Sequence, residues 1–255
     1  NNTLLVFENT LADLGDATTP LVFMGYVSTS ENLRSEGINC EERVNQFRTE
    51  IFSRKDLFSA LKDAQGKTPE ESKLVSETLK AFIKSGMNLT DEKLAQVKEL
   101  TQKLSSLQAK YSENLNNNAS SIEFTAAELT GVSADFLNRL KKTTAGNFIV
   151  TTKGPDYVAV MENAANGETR HKMLRTYENR EAEENTRLLQ EAVVLRQQIA
   201  KLMNYSTWAD YQLDGRMAKD VPTVMNFLLG LKEKLSVRNK SDLAKFLNYK
   251  KQIDP

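Results

Sequence analysis

Runs of apolar residues at helical spacing constrain the fold of this chain more than any other feature of its sequence. In the plainest run, residues 91–117, apolar side chains recur at every third or fourth position, which is typical of an amphipathic α-helix. Thr90 can cap this helix, and Asp91 and Glu92 suit the positive end of its dipole. The run covers about seven turns, so it needs neighbouring elements against which to bury its apolar face. The Asn-rich residues 114–118 are predicted to be its fraying end.

A second helix is predicted at residues 69–85. Thr68 can cap it, Pro69 suits the first turn, and Glu71 would complete a capping box. Gly86 suits the end of the helix, because glycine readily adopts the left-handed conformation that terminates many helices.

The N-terminal residues also favour helices. Residues 3–34 are predicted to be helical with an interruption near Gly15 and Pro20, because proline lacks a backbone donor and glycine weakens a helix. Asn39, followed three residues later by Glu42, indicates the start of the next helix.

The middle of the chain has a different pattern. Residues 121–125 and 147–152 are short runs of β-branched and aromatic side chains, and Gly146 precedes the second run. They predict a strand pair inserted into a helical protein, with a helix over residues 134–142 between the two strands.

Helical spacing returns from residue 155 to residue 205, with one break at Gly167. Asp220 and Pro222 indicate the start of a further helix, and a last helix is predicted to begin near Ser241.

The predicted fold class is mainly α, with long packed helices and one short β-ribbon within about residues 121–152. The chain has only 11 glycines and 5 prolines among its 255 residues, which is compatible with long helices. No repeat of fixed period and no low-complexity linker divides it. The length of the chain allows one large domain or two small ones.

Charge and cysteine content argue against several classes of protein. The 34 lysines and arginines balance 34 aspartates and glutamates, so we expect no nucleic-acid partner and no membrane partner. No run approaches the roughly 20 apolar residues of a membrane span. Cys40 is the single cysteine, which excludes an intrachain disulfide and a cysteine-based zinc finger. We expect a cytoplasmic location, with a periplasmic or secreted one left open.

The sequence shows no set of residues for catalysis or metal binding. His171 is the single histidine, and neither a Gly-x-Ser-x-Gly elbow nor a glycine-rich phosphate loop is present. We interpret His171 as a residue on a helix surface and Cys40 as a small, at least partly buried side chain. We predict no catalytic residues and no metal ligands in this chain, and its binding residues are unknown.

Two local patterns have structural interpretations. The carboxylates within residues 181–184 indicate a solvated helix face rather than an acid–base pair. The aromatic side chains of Tyr205, Trp208 and Tyr211 indicate a corner that packs a helix turn, with a binding box as the alternative.

Several segments, taken in order, carry the pattern of a known family. In the C-terminal half they are residues 155–161, 166–177, 185–186, 195–205 and 208–219, the last ending in Met217-Ala218-Lys219. In the N-terminal half they are Phe7-Glu8-Asn9-Thr10 and residues 26–34, 52–57 and 86–93. In this order and spacing they resemble the thimet oligopeptidase-like zinc peptidases, peptidase family M3, over nearly the whole chain. One departure is Asn204, where the family has glycine. Asparagine also tolerates a left-handed backbone, so we expect the helix cap to be kept.

The resemblance implies that residues 1–255 form the N-terminal lobe of a two-lobed, mostly helical ellipsoid, as in neurolysin and thimet oligopeptidase, with a deep channel between the lobes. The family cleaves short peptides with a zinc-activated water. A His-Glu-x-x-His helix and a further Glu hold the zinc, and the Glu of the motif is the general base. These residues lie C-terminal to the matched region, and this sequence contains no His-Glu-x-x-His.

The function that the resemblance implies is that of an N-terminal fragment of a zinc-dependent oligopeptidase. We expect the fragment to form part of the substrate-channel wall, to be inactive alone and to hold no cofactor. The full-length protein would bind zinc and short peptides, and the fragment's partner would be the missing C-terminal catalytic lobe. This hypothesis predicts exposed apolar surface where that lobe would pack.

Two alternatives remain open. A standalone helical module that binds a peptide or protein partner without catalysis would have a polar face in place of that apolar surface. An unrelated helical scaffold, such as a coiled-coil adaptor, would show sustained heptads, and only residues 91–117 provide them.

Overall fold

A computed structural model describes residues 2–253 of the chain. It is 73% helical, and its strands form one small three-stranded antiparallel sheet. The predicted fold class, mainly α with a short β insertion, is therefore confirmed. The chain divides into two compact units, Asn1–Leu195 and Arg196–Pro255.

Three long helices form one part of the first unit. Helices α1 (Asn2–Val27), α2 (Glu31–Phe52) and α5 (Asp91–Asn117) pack together, and α2 contacts both of the others. Helices α1 and α2 approach closely at Gly25 and Gly37. A Cβ added at Gly37 would lie 2.3 Å from the backbone nitrogen of Gly25, so this crossing has no room for a side chain.

Two shorter helices, α3 (Lys55–Lys62) and α4 (Pro69–Lys84), enclose an apolar core with the start of α1. At its centre Phe82 is fully buried. The buried residues of this core are Leu4, Leu61, Phe82, Met87 and Leu94. Three phenylalanine rings, those of Phe7, Phe52 and Phe58, lie 4.8–5.8 Å from the ring of Phe82. At these distances aromatic pairs add about 0.5–1.5 kcal/mol each beyond their burial.

The sheet lies in the middle of the chain. Its strands are β1 (Ser121–Phe124), β2 (Lys141–Lys142) and β3 (Phe148–Thr151), in the order β1-β3-β2, and both pairings are antiparallel. The predicted strand pair is present as β1 and β3.

The predicted helix over residues 134–142 is wrong beyond Leu137. Only α6 (Ala134–Leu137) is helical, and β2 follows it. The physical reason is a tight turn after β2, in which the Thr143 nitrogen donates to the Asn147 oxygen and Gly146 has φ +85°. This turn places β2 beside β3, so its two lysines join the sheet.

Two helices cover the sheet, α7 (Gly154–Asn163) and α8 (Gly167–Glu178). The sheet and these helices enclose a second core. Its buried residues are Ile122, Phe124, Leu129, Val132, Phe136, Phe148, Val150, Val160, Ala164 and Met173.

The remaining helices are α9 (Ala182–Leu202), α10 (Trp208–Leu213) and α11 (Val221–Ile253). In the second unit α11 packs against α10, and none of the described residues of α11 is buried. Among residues 2–253, no helix is long and apolar enough to cross a bilayer.

Several predicted caps are confirmed. Thr68 accepts a hydrogen bond from the Glu71 nitrogen at 3.2 Å, and Thr90 accepts one from the Lys93 nitrogen at 3.4 Å. The Glu71 carboxylate accepts from the nitrogen of Lys67 instead of Thr68, so the box closes one residue earlier than predicted. Gly86, with φ +106°, follows α4, and Asn204, with φ +64°, takes the left-handed conformation after α9.

Two predictions for the N-terminal region are wrong. Helix α1 continues through Gly15 and Pro20, because it packs along α2 and because the proline ring is exposed and needs no space in the core. The next helix begins at Glu31 after Ser30, and Asn39 lies inside it. Glu42 is partly buried between α2 and α5, where its carboxylate accepts hydrogen bonds from Gln46 at 2.8 Å and from Ser106.

Two further boundaries differ from the prediction. A second break, at residues 179–181, separates α8 from α9, and Glu181 has φ +52° there. No helix begins near Ser241, because α11 is continuous through it. The serine lies on an exposed helix face, where a polar side chain does not interrupt the backbone hydrogen bonds.

Candidate functional site

The two residues with the most reactive side chains lie apart. His171 is exposed on α8, and Cys40 is partly buried on α2. Among residues 2–253, no group of three or more His, Cys, Asp or Glu side chains is arranged to hold a metal ion. The residues that the structure describes therefore do not fit a zinc centre.

The aromatic residues after α9 form a packed corner. The rings of Tyr205 and Trp208 lie 5.4 and 5.3 Å from the ring of Tyr211. Thr207 and Asp210 form a reciprocal capping box that starts α10. These contacts fit the interpretation of the corner as a structural one.

Tyr205 is also held by a carboxylate. Its hydroxyl donates to Asp214, and this hydrogen bond, with burial, raises the pKa of Tyr205 to about 12. Burial also raises the pKa of Tyr211. Both phenols therefore stay protonated at neutral pH, so neither can act as a base there.

The carboxylates of residues 181–184 do not form an acid–base pair. Glu184 pairs with Arg187 one turn further along α9. Glu181, in its left-handed conformation, accepts a hydrogen bond from Nδ2 of Asn118 at 2.7 Å. Glu181 therefore joins the start of α9 to the end of α5.

The Asn-rich end of α5 is a fixed junction, and the prediction that it frays is wrong. Asn118 is buried, and its Oδ1 accepts from the hydroxyl of Thr152 at 3.0 Å. Asn114 donates to Oδ1 of Asn185 at 2.9 Å. Asn116 donates to the backbone oxygen of Gly25 at 3.0 Å. The amides thus tie the end of α5 to α1, to the sheet and to α9, which composition alone did not indicate.

Two hollows lie on the surface of α1 and α2, one on each side of Cys40. The first has a volume of about 660 Å³ and is lined by Leu21, Met24, Cys40 and Arg43, among others. The second, of about 580 Å³, shares Cys40 and Arg43 and extends towards α5. Their mixed apolar and charged lining is a concave surface of the kind that small ligands and peptides occupy.

Helix α11 has a long exposed apolar stripe. Leu228, Leu235 and Phe246 follow one another at spacings of 7 and 11 residues, which places them on one helix face, and they are 49%, 54% and 70% exposed. The other large apolar side chains of this face are Leu231, Leu243, Tyr249 and Ile253. The opposite face has Glu233, Lys240 and Lys251, together with the exposed Val237. We call the apolar face the α11 stripe. It is the kind of surface that the fragment hypothesis predicts.

Comparison with known proteins finds a matching family model and several relatives. Residues 160–254 match the model of "Peptidase family M3". Saccharolysin of Saccharomyces cerevisiae is 31% identical over 251 residues, which are 93% of this chain and 35% of saccharolysin. The thimet-like oligopeptidase of Dictyostelium discoideum is 25% identical over 91% of this chain and 36% of its own length. Oligopeptidase A of Haemophilus influenzae is 24% identical over 97% of this chain and 40% of its own length.

The fold and the comparisons define a mainly helical protein that corresponds to part of the longer proteins of one peptidase class. The resemblance to peptidase family M3, the thimet oligopeptidase-like family, is confirmed, over residues 160–254 by the family model and over more than nine tenths of the chain by these relatives. The chain spans between about a third and two fifths of the length of the relatives that it matches.

Proposed function

We propose that this chain is the N-terminal, non-catalytic lobe of a zinc-dependent oligopeptidase that hydrolyses short peptides in the cytoplasm. One observation carries the proposal. Saccharolysin and two relatives named as oligopeptidases match more than nine tenths of this chain, while the chain spans only 35–40% of their length. The rest of such a protein would supply the catalytic lobe.

The zinc site belongs, in this proposal, to the C-terminal lobe. Zinc in peptidases polarises the scissile carbonyl and activates the attacking water. The single histidine of this chain is exposed on α8, so its residues do not supply the ligand set that zinc needs. The contribution of this chain is to bind and enclose the substrate, and no chemical step runs through its side chains.

The α11 stripe supports a covered position for this helix in the longer protein. A row of leucine and phenylalanine side chains that are 42–70% exposed is costly in water, because each loses part of the roughly 1.5–3 kcal/mol that full burial would give. A standalone binding module would place polar residues there. The stripe therefore favours the lobe hypothesis over that alternative.

The hollows beside Cys40 are the surface that we assign to the channel wall. They are concave, they lie on two long helices, and their linings carry both signs of charge: Arg43 lines both hollows, Glu36 and Glu42 line the first, and Glu50 lines the second.

The zinc content of the protein and the rate of amide hydrogen exchange in α11 together test the proposal. The protein would be produced as residues 1–255 and as the longer product that the proposal requires, in which the reading frame would continue past Pro255. We expect about one zinc per molecule in the longer protein and none in the 255-residue chain, by elemental analysis after dialysis against zinc. Amide hydrogen exchange in α11 should be slower in the longer protein.

Two results would contradict the proposal. One is stoichiometric zinc in the 255-residue chain. The other is a longer protein in which the α11 amides exchange as fast as they do in the 255-residue chain.

A further inference from the structure

Three basic side chains, those of Arg34, Lys153 and Arg180, lie together at the C-terminal end of α5. Lys153 donates through Nζ to the backbone oxygen of Asn116 at 2.9 Å. Arg34 donates through Nε to Oδ1 of the adjacent Asn117 at 2.9 Å. Neighbouring residues of one helix end therefore hold two of these cations.

Arg180 reaches the same place from the end of α8. Its Nη1 donates to the backbone oxygen of Thr152, the residue before Lys153, at 3.1 Å. Its guanidinium lies over the ring of Tyr177, 3.7 Å from the ring centre. A backbone oxygen and an aromatic face thus fix this guanidinium.

Among residues 2–253, no carboxylate forms an ion pair with these three cations, and the carboxylate of Glu181, next to Arg180 in the sequence, is hydrogen-bonded to Asn118 instead. The ion pairs among residues 2–253 all involve other cations. Carbonyl oxygens satisfy N–H groups but leave the net charge unchanged. Burial lowers the pKa of Lys153, and repulsion from Arg34 and Arg180 lowers it further. Repulsion of this kind is relieved when an anion binds among the three groups.

The cluster keeps donors for such an anion. The hydrogen bonds of both arginines use Nε and Nη1, and no described residue accepts from Nη2 of either. Lys153 has one acceptor among the described residues, so two of its three protons remain. Beside it, a Cβ added at Gly154 would meet no atom within 4 Å, so the space there is open.

We propose that Arg34, Lys153 and Arg180 form a binding site for an oxyanion of the phosphate class. Phosphate has several acceptor oxygens and about two negative charges, which suit two guanidinium edges and one ammonium group held in place. Inorganic phosphate and the phosphate groups of a nucleotide share this chemistry. The site is independent of the proposed peptidase role, because it lies within the first unit and involves neither hollow nor the α11 stripe.

Calorimetric titration of the 255-residue chain with inorganic phosphate at low ionic strength tests the site. We expect saturable binding of one phosphate per chain. Lys153→Gln should weaken the binding about tenfold, because it removes one charge-assisted contact while its amide can still donate to Asn116. Lys67→Gln is the matched control, because it removes an exposed lysine between α3 and α4 and should leave the affinity unchanged.

A second readout separates binding from a change in folding. In the uniformly ¹³C-labelled chain, with the Lys153 Cε shift followed by NMR, phosphate should raise the pKa of the Lys153 amine, and chloride at matched ionic strength should not. Titration with AMP and with ATP then distinguishes the source of the anion, since a nucleotide site binds these more tightly than phosphate. Absence of saturable binding of any of the three anions, or equal affinities in Lys153→Gln and the unchanged chain, would overturn the proposal.

Discussion

At the scale of single residues, one close contact between two helices excludes a side chain. Gly37 on α2 faces Gly25 on α1, and a Cβ at position 37 would meet three backbone atoms at 2.3–2.9 Å. Backbone atoms of packed helices cannot move aside as a flexible side chain can. The two helices would have to separate.

Gly37→Ala should therefore destabilise the chain by about 1–3 kcal/mol, although alanine is the better helix former. Urea unfolding monitored by circular dichroism gives the difference. Gly15→Ala is the matched control, because a Cβ there meets nothing within 4 Å and the same change should stabilise α1 by about 0.5–1 kcal/mol. Equal effects at the two positions would show that the α1–α2 crossing is looser than described.

Asn118 is a second residue on which several elements depend. It is buried and bonds Glu181, Ser120 and Thr152. Asn118→Ala should cost about 2–4 kcal/mol, because it leaves buried polar groups without partners and removes a hydrogen bond to a charged carboxylate. Asn163→Ala, which loses one hydrogen bond on an exposed helix, should change the free energy of unfolding by less than about 0.5 kcal/mol. A comparable loss in both variants would argue against the junction.

Local chemistry predicted some of these residues and not others. The caps at Thr68 and Thr90 and the left-handed Asn204 follow from rules that involve only a few neighbouring residues. The role of Asn118 depends on Thr152 and Glu181, which are distant in sequence. An Asn-rich helix end has the same composition whether it frays or forms a junction, so its sequence could not decide between them.

At the scale of elements, helix α4 has an exposed charge cluster whose titration can be measured. Hydrogen bonds from Lys73 and Lys80 lower the pKa of Glu77 to about 2, from an ordinary value of 4.5. Because the folded value is depressed, the stabilisation from these pairs is present above pH 4.5 and is lost as the pH falls from there towards 2.

The double variant Lys73→Gln/Lys80→Gln should return the titration midpoint of Glu77 towards 4.5. The side-chain carboxyl ¹³C shift of Glu77, followed by NMR between pH 1.5 and pH 6 or so, reports this midpoint. Lys62→Gln, on α3, should leave it where it is. A midpoint near 4.5 in the unchanged chain would mean that the two lysines do not hold this carboxylate in solution.

The existence of most elements followed from periodicity, but several boundaries did not. Local rules placed a break at Pro20 and a helix start at Asn39, and both are overridden because α1 and α2 pack along each other. Strand β2 is two lysines with no strand pattern of their own. Only its pairing with β3, formed through the turn at Gly146, makes it a strand.

At the scale of the whole molecule, the α11 stripe has a direct physical consequence. A helix with one apolar face exposed along its length tends to pair with another copy when nothing else covers that face. We expect the 255-residue chain to self-associate with rising concentration, as measured by sedimentation velocity.

The triple variant Leu228→Ser/Leu235→Ser/Phe246→Ser should remain monomeric over the same concentrations. Its matched control, Glu233→Ser/Lys240→Ser/Lys251→Ser, changes the opposite helix face by the same number of serines and should associate as the unchanged chain does. Association that persists in the first variant would place the contact elsewhere.

The family assignment came from the order of many weak motifs, each of which alone has little specificity. The sequence predicted that an apolar surface would be exposed, but not that this surface would lie on α11. Sequence periodicity does not show which apolar helix is left without neighbours. The prediction that residues 1–255 form one lobe of the longer protein stays a prediction, as does the absence of catalytic residues from this chain.

The most direct test is cleavage of a quenched fluorescent oligopeptide by the 255-residue chain and by the longer protein, at equal concentration and with added zinc. We expect cleavage by the longer protein that a chelator abolishes, and none by the 255-residue chain. Chelator-sensitive cleavage by the purified 255-residue chain would contradict the account, because the chemistry would then lie within the residues described here.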